Sequence, residues 1–161
     1  MSISFANHSE ANEMAAMARM IWKEYFPTII TDEQIKYMLL KFQSEASIHE
    51  QMDGGYQYGF IFDGTEKAGY FAVLPKDDAL FISKLYLYKE KRGHGLGSET
   101  LKDLLCIGRS LGLKYAYLTV NVNNALACKA YERNGFKIDK DVDTDIGEGF
   151  FMNDHIYRCE L

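Results

Sequence analysis

The tightest constraint on this chain is a change of pattern between Leu85 and Ser98. An apolar, β-rich run, Leu85-Tyr86-Leu87-Tyr88, gives way to Lys91-Arg92-Gly93-His94-Gly95-Leu96-Gly97-Ser98, and helical periodicity begins at once. Leu101, Leu104, Leu105 and Leu111, with small Gly108 among them, fall at helical spacing, so this run reads as a long amphipathic helix packed on a sheet. Strand, loop and helix start in that order put the glycines at the carboxyl end of a strand, where α/β sheets bind ligands. Alternate glycines remove Cβ atoms where a bulky anion must approach the main chain. The first amides of a helix point outward at the positive end of its dipole, and Arg92 adds a charge-assisted donor.

Several loops share this outline. A Walker loop needs Gly-Lys-Ser/Thr after its spacer, and none follows Gly97. A dinucleotide fingerprint needs G-x-G-x-x-G, whereas Gly93, Gly95 and Gly97 give G-x-G-x-G. An ordinary glycine-rich strand-to-helix turn also fits the loop taken alone.

A second motif follows, Asn124-x-x-Ala127-x-x-x-Tyr131-x-x-x-Gly135-Phe136. Offsets of three, four and seven stack Asn124, Ala127 and Tyr131 on one helical face, and Gly135 ends the helix before a strand opening at Phe136. A small residue between two polar ones leaves room for a ligand. Taken alone, this motif reads equally as an amphipathic helix with a packing tyrosine.

In this order, the two motifs resemble the GCN5-related N-acetyltransferase (GNAT) superfamily. Its pyrophosphate loop, Gln/Arg-x-x-Gly-x-Gly/Ala, is matched by Arg92, Gly95 and Gly97. Its second motif, Asn-x-x-Ala-x-x-x-Tyr-x-x-x-Gly-Phe, is matched by Asn124, Ala127, Tyr131, Gly135 and Phe136. The resemblance implies acetyl-CoA, or coenzyme A, as the cofactor. Main-chain groups of Leu85 and Leu87 would hold its pantetheine arm, and the amides of Arg92, Gly93, His94, Gly95, Leu96 and Gly97, with Ser98 extending the helix start, its diphosphate. Asn124 and Ala127 would lie beside the arm. Tyr131 would protonate the departing thiolate, and the Leu87 N–H would polarise the thioester carbonyl.

A proton acceptor for the amine is not evident. The run Ala79 to Tyr88 has no Asp or Glu, although family members often place a glutamate there. Glu24, Asp154 and His155 stand as candidates by location. In the family, specificity comes from the segment between the first two helices and from the late strands, here Trp22 to Thr31 and Asp145 to His155. Trp22 and Tyr25 would form an apolar wall, with Glu24, Glu148 or Asp154 drawing a cation; the same two aromatics also read as core.

The 161 residues, 47% hydrophobic, suit one domain spanning 1–161. No apolar run reaches eighteen residues and no basic-then-apolar leader is visible, so a soluble, cytoplasmic protein is expected. Cys106, Cys128 and Cys159 are widely spaced with no C-x-x-C, which argues against a disulfide framework and against a metal site. A net charge of -5 disfavours nucleic acid and suits an amine substrate. Eleven tyrosines and ten phenylalanines lack the interleaved basic residues of a base-stacking surface.

Helices are expected from Ser9 to near Pro27, from a capping box at Thr31 and Gln34, and from a cap at Ser47 with Glu50. Tyr56 to Phe62 and Lys67 to Leu74 read as a hairpin about Asp63-Gly64, and Pro75 to Asp78 as the next turn. Ala79 to Tyr88 and Tyr115 to Val120 read as strands, with Phe136 to Val142 and Phe150 to Glu160 as a closing pair and Met1 to Phe5 as a short edge strand. The expected fold is α/β: a single-domain, mixed, largely antiparallel sheet of about seven strands with helices on both faces. The expected function is transfer of acetyl from acetyl-CoA to a primary amine of a small molecule, in a monomer or homodimer with no membrane partner. The layout looks like small bacterial members, some similar to polyamine acetyltransferases. The alternatives are acetylation of a peptide or protein amine, or a non-catalytic acyl-CoA-binding regulator.

Overall fold

The computed structural model describes residues 2–161; the Met1 end of the expected edge strand lies outside them. In chain order the elements are β1 (Ser2–Phe5), α1 (Ala11–Tyr25), α2 (Asp32–Phe42), α3 (Glu45–Asp53), β2 (Gln57–Asp63), β3 (Glu66–Lys76), β4 (Ala79–Leu87), α4 (Leu96–Ser110), β5 (Tyr115–Asn121), α5 (Ala125–Arg133), β6 (Lys137–Gly147) and β7 (Phe150–Glu160). The strands form one seven-stranded sheet in the order β1-β2-β3-β4-β5-β7-β6. It is mixed: β4 and β5 run parallel, while the β1–β2, β2–β3, β5–β7 and β6–β7 pairs are antiparallel. The chain divides into two compact units, one running up to Leu74 and including Ser83–Thr100, the other made of Pro75–Ile82 and Leu101–Leu161.

In the first unit the apolar positions of α1, Met14, Ala15, Ala18, Ile21 and Trp22, are all buried, as their helical spacing requires. They sit over a sheet face carrying Tyr58, Phe60 and Tyr70, themselves fully buried. The Trp22 indole N–H donates to the Tyr70 hydroxyl at 3.2 Å, and that hydroxyl donates to Gln43 Oε1 at 2.9 Å. Where β3 meets β4, Gly69 permits a contact no other residue allows: a Cβ there would lie 2.0 Å from the Tyr86 carbonyl oxygen.

In the second unit β4 begins parallel to β5, with Ala79 to Phe81 opposite Tyr115 to Tyr117. Ala116, Leu118 and Val120 alternate inward from β5. Gly108 of α4 admits Leu161 and Leu80, which a Cβ would meet at 2.8 and 3.4 Å.

Three local expectations shift. The first helical turn is capped by Asn7, in a capping box with Glu10, and is a 3-10 turn over His8–Glu10 rather than a start at Ser9. The cap of α3 is Ser44, whose hydroxyl accepts from the Ser47 amide at 3.2 Å; Ser47 belongs to the helix and donates to the Lys41 carbonyl at 2.6 Å. Strand β6 continues to Gly147, past Val142, and turns through Glu148 and Gly149 at φ 54° and 78°. Its aspartates alternate on an exposed edge, where a strand carries charge on its open face without penalty.

Candidate functional site

In the first unit the site is built on the end of β4 and the loop that follows. The Tyr88 N–H donates to the Ala68 carbonyl on β3 at 2.9 Å. The two groups of one peptide point in opposite directions, so the Leu87 carbonyl, and with it the Leu87 N–H, lies along the other edge of β4. That carbonyl accepts from Arg92 Nε at 3.0 Å. The Arg92 guanidinium lies over the Tyr25 ring, 4.5 Å from its centroid, and its Nη2 is buried with no hydrogen-bond partner among the described residues.

Lys91, the loop's other cation, is held internally: its Nζ is 2.6 Å from Glu66 and 3.0 Å from Asp63. The hydrogen bond to Glu66 and then that to Asp63 raise its pKa. What the loop offers an anion is therefore chiefly main chain. Gly93 and Gly95 hold φ of 80° and 84°, and a Cβ on either would point into open space. The first bond inside α4 runs from the Glu99 N–H to the Gly95 carbonyl at 3.0 Å. The amides of Leu96, Gly97 and Ser98 thus precede the helical ladder, aligned with the dipole. His94 is exposed beside them. A backbone cradle with an open approach and an orphaned guanidinium nitrogen fits a diphosphate.

In the second unit the motif from Asn124 to Phe136 proves to be the two ends of α5. Asn124, 7% exposed, is the N-cap, its Oδ1 accepting from the Ala127 amide at 3.4 Å. At the other end Gly135, at φ 88°, donates to the Glu132 carbonyl at 3.2 Å, and Phe136 donates to the Tyr131 carbonyl at 3.1 Å. These paired bonds are a Schellman motif, and the Tyr131 and Phe136 rings, 6.0 Å apart edge to face, supply its hydrophobic contact. The spacing therefore has a structural origin: both ends of a nine-residue helix are fixed, and Tyr131 is fixed with them. Tyr131 is half-buried and also lies 6.2 Å from the Tyr157 ring. The Tyr157 hydroxyl donates to Glu132 at 2.9 Å.

Asp154 of β7 lies opposite Asn121, at the carboxyl end of β5, and is 5% exposed. Burial raises its carboxyl to about 6, with the neighbouring His155 opposing that rise. His155 points to the other face of the strand, where its Nδ1 is 2.5 Å from Asp141. Glu24 and Glu148 are exposed. Trp22 is 3% exposed with its indole N–H satisfied inside the core, so it anchors α1 rather than lining an open wall. Tyr25, expected in the same wall, stacks instead on the loop's arginine. Two surface depressions, one at Lys129, Glu132 and Arg133 and one from Gly135 to Asp139 with Arg158 to Glu160, take in none of the expected site residues.

One chemical group escaped the sequence reading. Lys84 of β4 is 5% exposed; its Nζ donates to the Phe42 carbonyl at 2.7 Å, to Gln51 Oε1 at 2.9 Å and to the Tyr58 hydroxyl. Burial lowers its pKa from 10.5 to about 7. Its only trace in the sequence is a lone cation within a largely apolar strand. Between pH 7 and 10.5 the unfolded chain holds a proton here that the folded chain lacks, so this residue makes stability rise with pH across that window. Urea unfolding at pH 7 and pH 9 should show that rise reduced by about one proton's worth in Lys84→Met relative to the parent. Equal pH responses of the two proteins would contradict the assignment.

The strand-loop-helix cradle on a mixed sheet, with a capped tyrosine helix after the next strand, defines an acyl-CoA N-acyltransferase fold. Residues 14–136 match the model of the acetyltransferase (GNAT) family, and the chain belongs to that family, as an acetyl-CoA-dependent N-acetyltransferase. In sequence, nothing among curated proteins matches it. Among solved structures it is similar to the PaiA N-acetyltransferase of Thermoplasma acidophilum in complex with coenzyme A, at 21% identity, full coverage of both chains and a TM-score of 0.80. A GCN5-related N-acetyltransferase of Rhodopseudomonas palustris gives 14% identity over 99% of this chain and 95% of that one, with a TM-score of 0.82. An Elizabethkingia anophelis GNAT acetyltransferase with acetyl-CoA bound gives 16% identity over 71% and 82%, with a TM-score of 0.59. Among the described residues no helix is long and apolar enough to cross a membrane.

Proposed function

We propose that residues 1–161 act as one acyltransferase domain that acetylates a primary amine of a small, cationic molecule of polyamine type, with Asp154 as the proton acceptor. The observation that carries this reading is the buried Asp154 carboxyl, raised to about 6. It is ionised at neutral pH yet basic enough to accept a proton, in the range a general base needs. An alkyl ammonium titrates near ~10 and attacks only once neutral, so its proton must be removed. The net charge of -5 supports a cationic acceptor; the row Asp141, Asp143 and Asp145, opposite His155, Asn153 and Phe151, lies on the face of the strand pair away from Asp154 and takes no part in binding it.

Acetyl-CoA, when bound, supplies the activated acetyl thioester. The amides of Gly93, His94, Gly95, Leu96, Gly97 and Ser98 hold the diphosphate, the Arg92 amide being engaged instead by the Lys89 carbonyl at 3.2 Å, and main-chain groups of Leu85 and Leu87 hold the arm. The Leu87 N–H stabilises charge developing on the carbonyl oxygen. Asn124 and Ala127 shape the turn beside the arm, and Tyr131 gives its hydroxyl proton to the departing thiolate. Tyr131→Phe keeps the ring contact with Phe136 and removes the proton. Its kcat should fall about 100-fold with little change in coenzyme A affinity; an unchanged kcat removes the role.

The substrate class is tested by thiol release in the presence of acetyl-CoA and a panel of diamines, polyamines, amino acids and short peptides. Turnover is expected with the diamines and polyamines. Turnover of peptides alone would move the reading to a protein acetyltransferase, and coenzyme A binding without turnover of any amine would move it to a regulator.

A further inference from the structure

Tyr25 ends α1, in a segment that the family resemblance gives to acceptor recognition, yet its ring faces the cofactor loop. That ring carries the Arg92 guanidinium at 4.5 Å and meets Phe26 edge to face at 5.1 Å. Phe26 in turn packs on Trp22 at 4.3 Å and on Tyr86 of β4 at 6.1 Å. The ring is thereby braced from behind by buried aromatics, with the cation on its face. A half-buried guanidinium with one nitrogen out of water has few ways to be held. Here one N–H is on the Leu87 carbonyl, the π face is on Tyr25, and Nη2 is buried with no acceptor among the described residues. Remove the ring, and the guanidinium gains a route to solvent that satisfies Nη2 at the expense of the Leu87 bond.

We propose that Tyr25 is a positioning residue for acetyl-CoA: by clamping Arg92 it fixes the Leu87 carbonyl, and so the direction of the Leu87 N–H and the start of the diphosphate loop, before the cofactor arrives. Tyr25 acts through Arg92 and touches no reacting atom. The quadrupole of the ring does the holding, so phenylalanine serves and leucine does not. The proposal rests on the cofactor-loop reading above, and the experiment separates the two failures.

The test is calorimetric titration of coenzyme A into the full chain and into Tyr25→Phe, Tyr25→Leu, Arg92→Gln, the Tyr25→Leu/Arg92→Gln double variant and Lys23→Ala, an exposed neighbour on α1. Each is also checked by thermal unfolding. Tyr25→Phe and Lys23→Ala should bind within about twofold of the parent, and Tyr25→Leu about 5- to 30-fold more weakly. The double variant should bind no more weakly than Arg92→Gln alone, because both substitutions break one chain of contacts. A merely structural tyrosine would instead lower the unfolding temperature and add to the arginine effect. Parent-like binding by Tyr25→Leu, or additivity in the double variant, overturns the proposal; failure of the parent to bind coenzyme A overturns the loop reading on which it rests.

Discussion

Gly95→Val should abolish measurable coenzyme A binding while leaving the fold in place. At φ 84° a β-branched residue is strained, and its Cβ points into the open space above the loop. Left-handed backbone costs a non-glycine residue about 1–2 kcal/mol. In a chain of this size that lowers the unfolding temperature by only about 2–8 °C. The ligand effect is larger, because the methyl groups would occupy the space from which a diphosphate reaches the amides of Leu96 and Gly97. An affinity loss of at least about 100-fold, or about 2.8 kcal/mol, is expected by calorimetry. Gly112 makes an internal control: it holds φ 74°, and a Cβ there would also meet open space, but it lies beyond the carboxyl end of α4. Gly112→Val should show a similar thermal shift and parent-like coenzyme A binding. Equal binding by the two variants would show that strain, not the anion, explains the glycine.

Replacing Asp154 with asparagine should remove most turnover and strengthen the fold, two effects that seldom coincide. General-base catalysis contributes about 10²–10⁴-fold, so kcat/KM with the best amine of the panel should fall by that order. The acid limb of its pH profile, centred near 6 in the parent, should vanish. The stability effect follows from the same shift. The folded pKa lies above the unfolded value of 3.8, so the protonated carboxyl's contribution is fully present below about pH 4 and is lost as pH rises through about 6. Asparagine is neutral throughout. Asp154→Asn should therefore match the parent in unfolding temperature at about pH 4 and exceed it at about pH 8. A parent-like pH–rate profile would remove Asp154 as the base, and Glu24 and His155 would then be the residues to substitute.

The parts of the site governed by local chemistry were open to reading from the residues. Gly135 ends α5 in left-handed backbone, as a helix-ending glycine does, and Gly93 and Gly95 leave open the space a Cβ would fill. Asn124 and Gly135 delimit α5, because caps act within one turn of the chain. The order of strands and helices followed from the switch between twofold and helical periodicity. One misplacement also had a local cause: Ser44 and Ser47 are equally good caps by composition.

The chemistry of the ionisable groups was decided by the tertiary structure. Asp145 and Asp154 belong to the edge strand and its neighbour, in one region of the sequence; only the pairing of β7 with Asn121 and the rest of β5 takes Asp154 out of water. Lys84 is lowered toward neutrality by burial among groups from elsewhere in the sequence, the end of α2 and the side chains of Gln51 and Tyr58. Arg92, which by itself reads as a phosphate donor, is turned onto a carbonyl five residues back and a ring at the end of α1. The reason is common to all three. Backbone conformation depends on a residue and its near neighbours, whereas the ionisation and direction of a charged side chain depend on which distant surfaces fold over it.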